Sequence, residues 1–323
     1  MSAQDWRPSA SLDVLRRRAQ LLAAAREHFA RHGVLEVDTP LLSHAAATDF
    51  HIESVTADVA GQGRMYLHTS PEYAMKRLLA AGLGDCYQVC HVFRDGERGT
   101  RHNPEFTMIE WYRLGYDAPR MMDDVEALLR CTLSGLRSLA PALRMTYRDA
   151  VRAHAGVDPL TDGAVELAAA LRGHGVVPPR AGLDDRDTLL DLLVSVVVGP
   201  RLGIGHPVFI HDYPASQAAL ARLLPGDPPV AARFELYLDG LELANGFQEL
   251  GDAAEQRRRF ESDLAARAAH AKPARPVDER FLASLGHGLP DCAGVALGFD
   301  RLVMAALSLD SIDEAMPFPV DRA

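Results

Sequence analysis

The sequence predicts a single α+β domain, a mainly antiparallel sheet flanked by helices. Helical periodicity sits between and after runs of short strands instead of following each strand. The strands come in hairpin-linked runs, one of them closed by the two-residue turn Asp239-Gly240. No repeat or low-complexity linker divides the 323 residues, so the whole of 1–323 counts as one domain.

In chain order, Leu12, Leu15, Ala19, Leu22, Ala25 and Phe29 recur three and four apart, with Ser11 as N-cap and Gly33 as a stop, which predicts an amphipathic helix over 12–32. The alternating run VLEVDTPLL, 34–42, predicts a strand ended by Pro40, which has no N–H for a ladder. RMYLHTS predicts a short strand. Pro71 then opens a helix with Glu72 in its first turn. Strands follow around CYQVCHVFR and FTMIEWYRLGY, then helices over about 119–139 and 163–174. The sheet resumes with HPVFIHDYP and the hairpin FELYLDGLEL, and GVALGFDRLVM, 294–304, runs from strand into helix with Arg301 just inside the helix start.

Composition narrows the class. With 48% hydrophobic and 24% charged residues and a mean hydropathy of −0.07, the chain reads as an ordinary soluble globular protein. No stretch approaches the roughly 18 apolar residues of a membrane span, and the first thirty residues carry no secretory signal, so the expected location is cytoplasmic, with no membrane partner. Cys86, Cys90, Cys131 and Cys292 complete neither a disulfide framework nor a zinc site, and are expected to be reduced core residues. A net charge of −10 disfavours a large nucleic acid as partner.

Three segments carry chemistry. In the hairpin, Leu238 faces Leu241 and Tyr237 faces Glu242, and Glu235 shares Tyr237's face, so Glu235 and Glu242 point to one side. Two such acids suit Mg²⁺ with nucleotide phosphates, and the competing reading is a solvated hairpin face. In the second segment, Phe106, Met108, Glu110 and Tyr112 share a strand face behind a loop carrying Arg94, Arg98, Arg101 and His102, a loop able to close over phosphates. In the third, Gly294 and Gly298 leave room for a ligand against the backbone while Arg301 offers a planar cation. A strand glycine also marks close packing of another backbone. The surplus of acids, Glu72, Glu110 and Glu249, suits a cationic substrate.

With these segments in hand, the chain resembles a class II aminoacyl-tRNA synthetase catalytic domain of the lysyl branch. Residues of about 15–42 resemble its motif 1, 92–113 with FR…RHNPEF its motif 2, and 294–304 with GVALGFDR its motif 3. ELANGFQEL and DERFLASLGHGLP extend the match over nearly the whole chain. The resemblance implies a homodimer built through motif 1 and ATP-dependent, Mg²⁺-assisted activation of an amino acid to its adenylate. It implies Arg94 and Arg301 as catalytic cations, on the α- and γ-phosphates. The nucleotide would lie against Arg94, Asp95, Gly96, His102, Asn103, Phe106, Glu242, Leu243, Gly298 and Arg301. The amino acid would lie against Ser70, Pro71, Glu72, Glu110, Tyr112, Asn245, Glu249 and Ala296, with Glu72 facing the α-amino group and Glu110, Tyr112 and Glu249 holding the side-chain ammonium. Glu235 and Glu242 match the metal carboxylates.

Three departures from the lysyl enzymes stand out. Motif 1 begins by about residue 15, which leaves no tRNA-reading barrel, so tRNA is not an expected partner. Ala296 stands where the lysyl enzymes have glycine, which implies an altered amino-acid preference, toward a β-amino isomer. The acid of motif 2 is Glu97, with Gly96 in the usual acidic position. The truncation together with PASQAALAR, TSPEY and HNPEFTMIEWYR resembles the stand-alone lysyl-tRNA synthetase paralogues that modify translation elongation factor P, implying transfer of lysine or (R)-β-lysine to a lysine ε-amine of that factor. A minimal lysyl-tRNA synthetase and a non-catalytic, synthetase-like regulator are the competing readings.

Overall fold

The computed structural model describes residues 6–178 and 185–323. Ser11 accepts a hydrogen bond from Val14 N at 3.2 Å and starts helix α1 (Leu12–Arg31), and Gly33 ends it with φ +67°. Of the predicted apolar stripe only Ala25 and Phe29 are buried, joined by Leu21 and His28, while Leu12 stays 62% exposed. The predicted strand over 34–42 is cut in two by its proline. β1 (Leu35–Glu36) and β2 (Leu42–Ser43) join different sheets.

β3 (Thr56–Val59) and β4 (Gly63–Leu67) complete a small sheet with β2. Helix α2 (Glu72–Ala80) follows Pro71 and leads to β5 (Cys86–Phe93) and β6 (Glu105–Leu114), an antiparallel pair. After α3 (Ala118–Thr132) come β7 (Leu143–Thr146), α4 (Tyr147–Ala155), α5 (Ala164–Gly173) and α6 (Arg186–Leu193). β8 (Val208–Pro214), the short β9 (Leu223–Leu224), β10 (Val230–Leu238) and β11 (Leu241–Gln248) rebuild the sheet. α7 (Ala253–Ala269), α8 (Glu279–Gly288), β12 (Cys292–Gly298) and α9 (Phe299–Leu307) finish the fold.

Among the described residues the main sheet has nine strands. Its order is β1-β5-β6-β12-β11-β10-β8-β7 with β9 beside β10, and only the outer pairs β1–β5 and β7–β8 are parallel. The α+β expectation therefore holds. The hairpin also keeps its expected start, Leu238 opposite Leu241 and Tyr237 opposite Glu242, over a turn in which Asp239 and Gly240 both take positive φ. One step further the register shifts, and Leu236 lies opposite Ala244.

One sheet face is apolar. Ile109 and Trp111 of β6, Leu236 and Leu238 of β10, and Val295 and Leu297 of β12 pack with Phe29, Val125, Leu128 and Phe299 of the covering helices. Period-two alternation sends the intervening residues, Glu110, Tyr112, Gly294, Ala296 and Gly298, to the other face, into a cleft of about 900 Å³. Of the four cysteines, all unpaired, Cys86 and Cys292 are core residues, whereas Cys90 and Cys131 are only half-buried.

Gly294 corrects one expectation. A Cβ there would run into the Tyr112 ring and the Glu249 carboxylate, so the glycine makes room for the protein's own side chains. Gly298 matches the expectation better, since a Cβ would meet only the Arg301 side chain and the backbone of Leu243, at ordinary contact distances of 3.9–4.0 Å. Gly294→Ala is therefore expected to destabilise the protein by about 1–3 kcal/mol through overpacking, and Gly298→Ala by less; urea denaturation of the two variants checks the difference.

Candidate functional site

The cleft is acidic at one end and basic at the other. At the acidic end, Glu72 opens α2 and Lys76 lies one helical turn on. Lys76 Nζ donates to Glu72 Oε1 at 2.6 Å and lies 2.5 Å from Glu249 Oε2, just beyond the end of β11. Its side chain is 0% exposed. Glu110, across from it on β6, accepts from Ser70 Oγ and from the Tyr112 hydroxyl, each at 2.6 Å. Ser70 in turn receives the Glu72 backbone N–H at 3.0 Å, so Ser70, Glu72, Glu110 and Tyr112 form one network.

Burial dominates the electrostatics here. It pushes the Glu110 carboxyl up to about 7, with the charge of Glu72 adding to it and the Ser70 and Tyr112 hydrogen bonds opposing it. Glu249 rises to about 8, again through burial first, against the pull of Lys76. For Lys76, burial alone would lower the ammonium, yet the adjacent charges of Glu249 and Glu72 carry it above the ordinary lysine range. Lys76 is thus a permanent cation between two acids.

The middle of the cleft is the β11–β12–β6 seam. Ala296 pairs with Asn245 on one side and Glu110 on the other, so its methyl group lies between an amide and a carboxylate. Asn245 Oδ1 is buried with no hydrogen-bond partner among the described residues.

At the basic end, Arg301 donates to Glu242 O at 2.9 Å and to His102 Nε2 at 2.6 Å, and lies 3.6 Å from the Glu242 carboxylate. His102 accepts as a neutral imidazole, because burial and the neighbouring arginines bring it down to about 4. The Arg94 guanidinium lies 5.1 Å from the centre of the Phe106 ring, and its buried Nε has no hydrogen-bond partner among the described residues. Glu97 lies 4.0 Å from Arg94, so the motif 2 acid still faces its arginine from one position later.

Several predicted site residues are placed otherwise. Arg98 is bound by Asp313 and Asp321, and Arg101 donates to Gly240 O, so these two cations brace the loop. Asn103 lines the cleft, with its amide donating to Glu105 O and its carbonyl accepting from Val320 N. Asp95 and Gly96 do not line the cleft; Asp95 N donates to Glu53 O and Gly96 turns the chain at φ +76°. Glu235 is also set back, with Arg233 on one oxygen at 2.6 Å and the Tyr237 hydroxyl on the other at 2.7 Å. Glu242 and Leu243 do line the cleft, as do Ser70, Pro71, Glu72, Arg94, His102, Asn103, Phe106, Glu110, Tyr112, Asn245, Glu249, Ala296, Gly298 and Arg301.

For a divalent metal, the described residues hold no cluster of three or more His, Cys, Asp and Glu groups. Glu242 fits as a single carboxylate ligand. Burial raises its carboxyl, the charge of Glu235 adds to the rise, and a cation beside it would relieve both. The remaining ligands would have to come from the substrate.

Reading the sequence missed Lys76 and Arg233. Lys76 carried one available signal, its spacing of four residues from Glu72, but that spacing usually marks a surface pair.

A sequence profile for class II tRNA synthetases (D, K and N) matches residues 2–322. The chain is 48% identical to a protein of Vibrio cholerae serotype O1 named elongation factor P–(R)-β-lysine ligase, over the full length of both chains. It is 49% identical to a protein of the same name from Vibrio vulnificus, covering 98% of this chain and 99% of the relative. With the Salmonella gallinarum protein of that name the identity is 47%, over 98% of each. No helix among the described residues is long and apolar enough to cross a membrane.

The raised carboxyl of Glu110 fixes the sign of one pH effect. The folded protein holds this proton more tightly than the unfolded chain, so ionisation costs stability as pH rises from the ordinary carboxylate range through about 7. Glu110→Gln is expected to make the ligand-free protein more stable at about pH 8.5, by roughly 1–3 kcal/mol, with the gain shrinking toward pH 5. Urea denaturation at the two pH values measures it.

Proposed function

The chain belongs to the class II tRNA synthetases of the D, K and N type, and from that membership and its two-ended cleft we propose that it activates (R)-β-lysine or lysine with ATP and ligates it to a lysine of elongation factor P. One observation carries this reading. Three carboxylates converge at the end of the cleft opposite two arginines, which suits a substrate with amino groups at one end and a carboxylate to be joined to a phosphate at the other.

The chemistry follows from that polarity. The amino acid's carboxylate oxygen attacks the α-phosphorus of ATP, the bond to the bridging oxygen breaks, and pyrophosphate leaves. Both reactants are anions, so the step needs neutralisation and alignment rather than a strong base. Arg94 is assigned to the α-phosphate and the substrate carboxylate, Arg301 to the γ-phosphate, and Phe106 to the face of the adenine. Arg301 comes already oriented by Glu242 O and by neutral His102. Asp95, Gly96 and Asn103 shape the loop under the nucleotide. Glu242 would hold Mg²⁺ with the nucleotide phosphates, Glu235 lending charge from behind, and the ion would supply further neutralisation of the phosphates. In the second half-reaction the ε-amine of the acceptor lysine attacks the adenylate's carbonyl carbon, AMP leaves, and the amine loses a proton.

Glu72 is assigned to the amino group nearer the carboxylate, Glu110, Tyr112 and Glu249 to the distal ammonium, and Asn245 to the substrate carboxylate. Ala296 supports a preference for the β-amino isomer, because its methyl group occupies the seam on which an α-amino acid backbone would lie. We further assign a homodimer to the motif 1 face, where Leu12, Leu35 and Leu41 are 40–62% exposed, and a cytoplasmic location without a tRNA partner.

Incubation with ATP, elongation factor P and either lysine isomer is expected to add one aminoacyl mass to the factor, with no charging of total tRNA. No mass gain with either isomer contradicts the reading, and tRNA charging favours the minimal synthetase. Ala296→Gly is expected to shift kcat/KM toward α-lysine, relative to (R)-β-lysine, by roughly tenfold, the scale of one methyl group in a pocket. An unchanged ratio removes the role of Ala296.

A further inference from the structure

Glu72, Glu110 and Glu249 all face the cleft, whereas Lys76 of α2 does not line it and reaches from the helix to Glu249 at the end of β11. Its ammonium is sealed from solvent, bound by Glu72 and Glu249 in front, with the Phe281 ring centre at 5.9 Å. A purely structural ion pair would leave its acids fully engaged. Glu249 Oε1 instead is buried beside Gly294 with no hydrogen-bond partner among the described residues.

Counting charges gives Lys76 a task. A diamino acid brings two ammonium groups to three carboxylates, and an unmatched buried anion is strongly unfavourable. Lys76 supplies the missing third cation. We propose that Lys76 is a resident counter-ion and positioning residue that neutralises one of the three carboxylates, so that the cleft presents two net anions to a substrate with two ammonium groups, and that it fixes Glu72 and Glu249 at the spacing that receives them. The proposal rests on the amino-acid activation assigned above.

The other titratable groups that face this cluster include Tyr73 of α2, Cys86 and Cys90 of β5, Tyr112 of β6 and Cys292 of β12. Burial holds these thiols and phenols above their ordinary values, which leaves the pH response between 6 and 9 to the carboxylates. Removing the cation would make Glu249 keep its proton to higher pH, and a protonated acid binds ammonium weakly. The KM for the diamino acid, which falls as pH rises, would then fall later.

The test is ATP–pyrophosphate exchange with L-lysine and (R)-β-lysine between about pH 6 and 9, on the wild-type protein, Lys76→Met and Lys76→Arg. Lys76→Met is expected to raise the amino-acid KM on the order of tenfold near pH 7 and to move the pH limb up by about one unit, while the KM for ATP stays within about twofold. Lys76→Arg, which keeps the charge, is expected to hold the limb at the wild-type position. A folded Lys76→Met protein with wild-type KM and limb overturns the proposal and leaves amino-acid activation standing. Absence of exchange in the wild type removes the activation reading itself, and the proposal with it. If Lys76→Met does not fold, Lys76→Gln takes its place in the same comparison, and failure of both neutral variants to fold assigns Lys76 to the fold and overturns the proposal.

Discussion

A buried ammonium held between two carboxylates is the constraint around which the cleft is arranged. Lys76 contacts Glu72 within its own helix and Glu249 from a distant part of the chain, so one cation ties α2 to the end of β11. Breaking such a pair by removing one partner typically costs about 3–5 kcal/mol, because the other charge is left buried and alone. The contact that fastens α2 to the sheet is therefore also the one that sets the charge of the acidic end.

The rest of the site follows from that polarity. Burial lifts Glu110 and Glu249 toward neutral pH, and the substrate's ammonium groups would bring them back down as they bind. Opposite them, Arg98 is held by Asp313 and Asp321 away from the cleft and Arg101 donates to Gly240 O, while Arg94, Arg101 and Arg301 line the cleft. His102, kept neutral, orients Arg301 without adding a charge that would repel it. Between the two ends, Ala296 narrows the seam where the reacting carbon skeleton would lie.

Much of this was legible in the sequence. The Asp239-Gly240 turn specified its own register, and period-two alternation in FTMIEWYR placed Phe106, Met108, Glu110 and Tyr112 on the cleft while Ile109 and Trp111 went to the core. Other parts depended on tertiary contacts that no local pattern records. The helix α7 buries only Gln256, Phe260 and Arg267, too sparse a stripe to read as amphipathic. The extended run at 34–42 split because its proline turned the chain toward a second sheet. Gly294 looked like a ligand contact and proved to be a packing contact. Lys76 left no local trace beyond its spacing from Glu72, since its second partner lies 173 residues away in sequence, the difference between 249 and 76.

A permanently charged lysine beside the two acids lifted by burial, Glu110 and Glu249, gives the binding of a diammonium substrate a direct thermodynamic signature. Near pH 7 ligand-free Glu110 and Glu249 are partly protonated, and binding two ammonium groups must ionise them. Isothermal titration calorimetry of (R)-β-lysine and L-lysine, repeated in buffers of different ionisation enthalpy, counts the protons exchanged on binding. Net proton release is expected at about pH 7, declining as the pH is raised toward 8.5; binding with no proton release, or with uptake, would rule out this charge matching.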